Sequence, residues 1–206
     1  MAEMSVPVLE IPEDSRSRRR PDSLVRLKAA ARKLFVERGY DATRPQDIAR
    51  EAGLGHGTFY LHYPDKRACF LGFVEDARME LDAYVQARVT EGDSLEAGIA
   101  NTLNAIYDYA ESHPGVLTAA MTDEAVIDAE GVQAVPLLQR WGNDWAQSVC
   151  RAAAAGHASH DYDAEIVGQA IVGAIHQASM EGFRSRRSRE SVVHNLTRFL
   201  VKALRP

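Results

Sequence analysis

Residues 39–66 read GYDATRPQDIAREAGLGHGTFYLHYPDK, and this stretch decides the architecture. Ile48, Ala49 and Ala52 follow helical spacing up to Gly53-Leu54, and a second run from about His56 to Tyr63 is closed by Pro64. Two short helices joined by a tight glycine-containing turn make a helix-turn-helix, whose second helix is slim enough for the roughly 12 Å wide major groove of DNA. Ile48, Ala49, Ala52, Leu54, Phe59 and Tyr63 are expected to pack inward, leaving His56, Thr58, Tyr60, Leu61 and His62 to face outward. A short helix that exposes hydroxyls, imidazoles and an aromatic ring is poor core and good nucleic-acid surface. Thr58, Tyr60 and Lys66 carry donors suited to phosphate oxygens, while His56 sits near the helix N-terminus, where base edges are usually read.

Outward from this stretch, Asp22 and Ser23 are natural caps for a first helix of about sixteen residues carrying Leu27, Ala31, Leu34 and Phe35 and stopping at Gly39. A long periodic segment follows from Asp65 to about Val89, and breaks near Gly92, Pro114, Asp128–Gly131, 156–163 and 184–188 imply five further helices. The expected fold is all-α with about nine helices. Asp93-Ser94-Leu95-Glu96 has a capping-box pattern. No repeat of 20 to 50 residues is visible, which disfavours a solenoid.

The charge is segregated. The 206 residues carry a net −5, which by itself argues against a nucleic-acid partner. Residues 16–70, however, hold thirteen Lys+Arg against six Asp+Glu, whereas residues 71–206 hold eleven against nineteen. The basic charge therefore coincides with the helix-turn-helix and the remainder is an acidic body. Residues 1–15 hold four acids and no base and read as a disordered acidic tail, followed by a basic arm at Arg16, Arg18, Arg19 and Arg20 that suits a minor groove. No apolar run approaches a membrane span and no leader is visible at Met1, so a cytoplasmic protein with no membrane partner is expected.

Other chemistries are weaker. Gly53, Gly55 and Gly57 lack the preceding strand and the lysine of a phosphate loop. His157, His160, Asp161 and Asp163 have metal-like composition, but a capped interhelical loop explains them better. Cys69 and Cys150 are too few for a disulfide framework or a zinc site, and a thiol switch at Cys69 is weakly supported. No enzyme activity, cofactor or metal is expected.

The stretch closely resembles the DNA-binding domain of the TetR family of bacterial transcriptional regulators. The residues that carry the likeness are Gly39-Tyr40, Thr43, Ile48-Ala49, Ala52-Gly53-Leu54, Gly57-Thr58-Phe59-Tyr60, His62-Tyr63 and Lys66. By resemblance, His56, Gly57, Thr58, Tyr60, Leu61 and His62 contact DNA from the recognition helix, with Lys66 and the start of the preceding helix, Arg44 and Gln46, on the backbone. Two positions depart from the family pattern. Pro45 stands where a hydrophobic residue is usual, so Thr43 with Gln46 is expected to form the capping box; Gly55 replaces a serine cap.

The resemblance further implies domains at 21–75, for DNA binding, and 76–206, for ligand binding and dimerisation. It implies a homodimer that represses from a palindromic DNA operator and is released by a small-molecule effector. The last two helices fit the dimer role, because Val167, Ala170, Ile171, Ala174, Ile175 and Ala178, and then Val192, Val193, Leu196, Phe199 and Leu200, offer more apolar surface than one monomer core uses. Candidate ligand residues are Tyr107, Met121, Trp141, Trp145, His176 and Met180. Asp108, Glu124 and Asp144 suit a cation if they face inward. The competing reading is a ligand-binding sensor whose helix-turn-helix docks a protein partner.

Overall fold

The computed structural model describes residues 15–90, 92–128 and 134–206, with side chains from residue 21 onward. The acidic tail, the arm's side chains and part of the break at 128–131 lie outside the described residues. Among the described residues ten helices follow one another: α1 (Ser15–Arg38), α2 (Pro45–Glu51), α3 (His56–Tyr60), α4 (Lys66–Gln86), α5 (Leu95–Ser112), α6 (Val116–Ala120), α7 (Asp123–Asp128), α8 (Leu137–Ala154), α9 (Ala164–Arg184) and α10 (Arg189–Leu204). The described residues form no strand, and the all-α expectation stands.

Two helices begin where local signals do not put them. α1 starts at Ser15 and carries Pro21 inside it. The Asp22-Ser23 cap signal is overridden because Arg is a good helix former and continues the helix upstream, while the Ser23 hydroxyl is engaged with His62 at 2.7 Å. The helix expected after Gly115 is divided at Met121-Thr122 into α6 and α7. Its break brings Asp123 into the interior, where the carboxylate accepts the Leu137 N–H at 2.7 Å and so caps α8, whose own N-cap is Pro136. Ordinary local caps serve elsewhere: Asp65 for α4, Ser94 for α5, Asp163 for α9 and Ser188 for α10.

The interior has two centres. In the first, Leu27, Leu34, Phe35, Ile48 and Phe59 of α1–α3 run continuously into Phe70 and Val74 of α4 and on to Tyr109, Val116, Ala120 and Leu137. The second joins Ile99 and Leu103 of α5 and Val149 of α8 with Ile171, Ile175, Val192, Leu196 and Leu200 of α9 and α10. α5 contributes to both, with Ile106 touching each. α8 and α9 cross closely at glycines: a Cβ on Gly168 would fall on the Gly142 carbonyl oxygen and 2.7 Å from the Ala146 nitrogen.

Candidate nucleic-acid interface

α2 is entered from Arg44, in an extended conformation with no side-chain cap, and Pro45 supplies the pre-set φ of the first turn. The capping box expected from Thr43 and Gln46 does not form. Thr43 is buried, and its hydroxyl donates to the carbonyls of Gly39 at 2.8 Å and Leu34 at 3.3 Å. It ties off the end of α1, whose last carbonyls lack helical partners. Arg44 and Gln46 remain exposed at the start of α2.

The turn is fixed from both sides. Gly53 has φ +65°, with its N–H on the Arg50 carbonyl at 3.0 Å and the Leu54 N–H on Ala49 at 2.8 Å, the paired bonds of a Schellman end. The Arg26 guanidinium donates to the Gly53 carbonyl at 3.1 Å, and a Cβ at Gly53 would come within 2.7 Å of it. Sequence reading missed this role of Arg26, and that of Ser23, because their partners lie 27 and 39 residues away.

α3 hangs from one ring. Phe59 is fully buried, edge-on to Tyr60 and tilted against Tyr63. Tyr60 is 50% exposed, Leu61 is 67% exposed, and His56 meets Tyr60 edge-on with ring centroids 5.2 Å apart. Gly55 caps the helix without a side-chain bond. The helix ends at Tyr60, three residues earlier than its pattern predicts, because Phe59 O already receives the N–H groups of His62 and Tyr63 as the chain turns into Pro64. Ile48, Ala49, Ala52, Leu54 and Tyr63 pack inward as expected. His62 departs from its expected exposure: it is half-buried against Ser23 of α1.

Lys66 lies 4.0 Å over the Tyr40 ring and donates to the Tyr40 carbonyl at 3.0 Å. The ammonium thereby pins the start of α4 to the α1–α2 loop, keeping two of its three donors for other acceptors. Ion pairs take up part of the basic charge: Lys28 with Asp76 at 2.7 Å, Arg32 with Glu80 at 2.6 Å and Lys33 with Glu51 at 2.6 Å. Burial pushes the Cys69 thiol up to about 12. The neutral, buried sulfur is inert as a redox switch.

The structure does not gather the six body residues around one space. Met121 and Trp141 pack on the first core, Tyr107 and Trp145 on the second, His176 is half-buried on α9, and Met180 is exposed. Trp145 borders a void of about 30 Å³ with Leu95, Val149 and Leu204. A separate open cleft of about 510 Å³ lies among α7, α8 and α9, lined by Glu124, Leu138, Gln139, Asn143, Glu165 and Gln169 among others. Asp108 is paired with Arg88 and with Arg189, and Asp144 with Arg78, so neither is a free counter-ion for a ligand.

A short two-helix unit within a three-helix head, joined by a long helix to a larger helical body, is a helix-turn-helix architecture. Residues 27–72, within the head and the start of α4, match the family model of bacterial regulatory proteins, tetR family. The chain is 26% identical over 103 residues to an uncharacterized HTH-type transcriptional regulator, YuxN, of Bacillus subtilis, a match covering 50% of this chain and 35% of that protein. It is 29% identical over 101 residues to the nucleoid occlusion factor SlmA of Pasteurella multocida, covering 47% and 48%. The chain therefore spans half or less of the length of these curated relatives. The solved structure of TylP, a TetR regulator from Streptomyces fradiae, superposes with TM-score 0.66 at 23% identity, covering 91% of this chain and 89% of that one. That likeness extends the shared fold from the head to the body. No helix among the described residues is long and apolar enough to cross a membrane.

Proposed function

We propose that the chain is a homodimeric, ligand-responsive transcriptional repressor that reads a palindromic operator. The observation that carries this reading is α3, which is anchored by one buried ring, exposes His56 and Tyr60 and leaves Thr58 half-buried, in the most basic part of the chain. His56, Gly57, Thr58, Tyr60 and Leu61 meet the major groove, with the Thr58 and Tyr60 hydroxyls on its flanking phosphates. Arg44, Gln46 and Lys66 bind phosphates, and His62 shapes the end of the helix from its place against α1. The head is residues 21–75 and the body 76–206, with α4 continuous through both.

The dimer forms through α9 and α10. Ile166, Ala170, Gly173, Gln177 and Met180 fall three or four residues apart along the exposed side of α9. Ile166, Met180, Phe183 and Phe199 are exposed, Phe183 to 87%. This apolar surface suits a second copy of the same helices. A small-molecule effector, bound in the body and lined by some of Tyr107, Met121, Trp141, Trp145, His176 and Met180 or by the open cleft, shifts the heads off their operator spacing of about 34–36 Å. The protein works in the cytoplasm, where its DNA is.

The test is an anisotropy titration of full-length protein against the duplex upstream of its own gene and against duplexes enriched from a random pool, at two salt concentrations. Saturable, sequence-dependent binding that falls steeply with salt is expected. Failure to enrich any sequence would overturn the operator reading.

A further inference from the structure

We infer that Tyr109 of α5 is a positioning residue for the reading head, acting through Glu80 of α4 on Arg32 of α1. This inference rests on the DNA-binding reading above and names the route by which the body controls it. Tyr109 is fully buried, and its hydroxyl donates to Glu80 Oε2 at 2.8 Å. The same carboxylate accepts both contacts of Arg32 Nη1, at 2.6 and 2.9 Å. Three helices are thus joined at one carboxylate. Burial raises the Glu80 pKa, but the bonds from Arg32 and Tyr109 outweigh it and hold the group below its ordinary range, so it stays charged.

One turn earlier, Lys28 and Asp76 clamp α1 to α4 in the same register, and both side chains are more than a third exposed. Among the described residues, the second rung receives a donor from the body, the Tyr109 hydroxyl. The Tyr109 ring is held in turn by His113, stacked with centroids 4.5 Å apart, and by Tyr84, edge-on at 5.4 Å. Just beyond His113, Gly115 begins α6 with φ +79°, and a Cβ there would lie 2.8 Å from Val36 Cγ1 of α1. The α5–α6 corner therefore touches α1 directly at Gly115 and through Glu80 at Tyr109. Farther up the same helix, Ile99 and Leu103 are buried in the second core with α9 and α10. A displacement of α5 driven from that core must either carry the Glu80–Arg32 pair with it or break the Tyr109 bond. α1 in turn holds the turn and the far end of the reading unit, through Arg26 to Gly53 and Ser23 to His62.

The test compares Tyr109→Phe, which keeps the ring and deletes the donor, with Val149→Ala, which trims the second core from α8 and leaves the α5 side chains intact. The milder Ile171→Val of α9 serves if Val149→Ala does not fold. The DNA is a duplex enriched from a random pool by the wild-type protein. Tyr109→Phe is expected to weaken binding about fivefold or more, within the usual range of coupling between sites, with the salt slope unchanged because no phosphate contact is lost. Glu80→Gln should reproduce the loss, and the double variant should add little to it. Amide exchange of α1 and α3 should quicken in Tyr109→Phe while that of α10 does not. Binding by Tyr109→Phe equal to wild type, or an equal loss in the second-core variant, would overturn the assignment. If the wild type enriches no duplex, the proposed function fails, and the exchange measurement alone decides Tyr109: unchanged protection of α1 would overturn its role.

Discussion

The reading head and the α9–α10 pair solve opposite problems. In the head, helices of seven and five residues, too short to be stable alone, are fixed by buried Ile48 and Phe59 and by bonds from α1. What remains outside on α3 is polar and aromatic, followed by the exposed Leu61, in the most basic part of the chain. In the pair, helices of 21 and 16 residues bury Ile171, Ile175, Leu196 and Leu200, and what remains outside includes Ile166, Phe183 and Phe199. Under the proposed function, what each region leaves exposed fits its partner: a polyanion for the head and a second copy for the pair. The largest test breaks the head from within. Phe59→Ala removes the one ring that seats α3, and urea unfolding should show a loss of about 3–5 kcal/mol together with loss of DNA binding. Intact sequence-specific binding by a folded Phe59→Ala protein would mean that α3 is not held as described.

The complementary change acts on the pair from outside. Met180→Asp with Phe199→Asp places charge on surface that the monomer does not use, so the monomer's unfolding should change little. Sedimentation should show the proposed dimer weakened by about 2 kcal/mol or more for each site at the centre of the interface. An unaltered dimer would move the interface elsewhere. A smaller effect is expected where the pair meets α8. Gly168→Ala puts a Cβ against backbone atoms of Gly142 and Ala146, and overpacking should cost about 1–3 kcal/mol of stability in thermal or urea unfolding. No loss would show that α8 and α9 can separate freely.

The same contrast explains what could be read in the chain. Ile48, Phe59 and Gly53 are legible because the head's signals are local: period, turn glycine and cap lie within a few residues of one another. The stripes of α9 and α10 are legible for the same reason. Asp123 as the cap of α8 is not, because its partner lies 14 residues on across a second helix. Thr43 looked like a cap for the helix that follows it and instead serves the one before. His62 and Ser23 each carried a correct local propensity that a mutual tertiary bond replaced. The spacing of Trp141 and Trp145 placed them on one helix, yet they pack into different cores, since a helical face alone does not say which neighbour covers each turn.

Between the regions, the exposed hydroxyl of Tyr60 offers a finer test of what the head presents. Tyr60→Phe leaves the ring against Phe59 and His56, so the melting temperature should stay within experimental error. Loss of one hydrogen bond to phosphate should weaken operator binding by about 0.5–1.5 kcal/mol, nearly uniformly across sequences. A change of sequence preference would mean that Tyr60 reads bases.

The smallest effect concerns the carboxylate that joins the regions. Glu80 is held below its ordinary value of 4.5: burial opposes the charge, and the bonds from Arg32 and Tyr109 more than compensate. Its folded pKa is therefore lower than its unfolded one, so its contribution to stability is complete above 4.5 and is lost as pH falls through the folded value. Asp82 and Asp123 have the opposite sign, because burial raises both, and they favour the folded state less as pH rises through their folded values. Whole-protein acid unfolding mixes these signs, but the difference between wild type and Glu80→Gln isolates one of them. Measured by urea unfolding from neutral pH down to about pH 3, the gap between the two proteins should be constant near neutrality and close only below the ordinary glutamate range. The Glu80 side chain is 37% exposed, so solvent screens the pair and the gap should be modest. A gap that persists undiminished at the acid end would show that the glutamate carboxylate's charge is not what holds α1 and α5 together, leaving shape and the neutral hydrogen bond to do so.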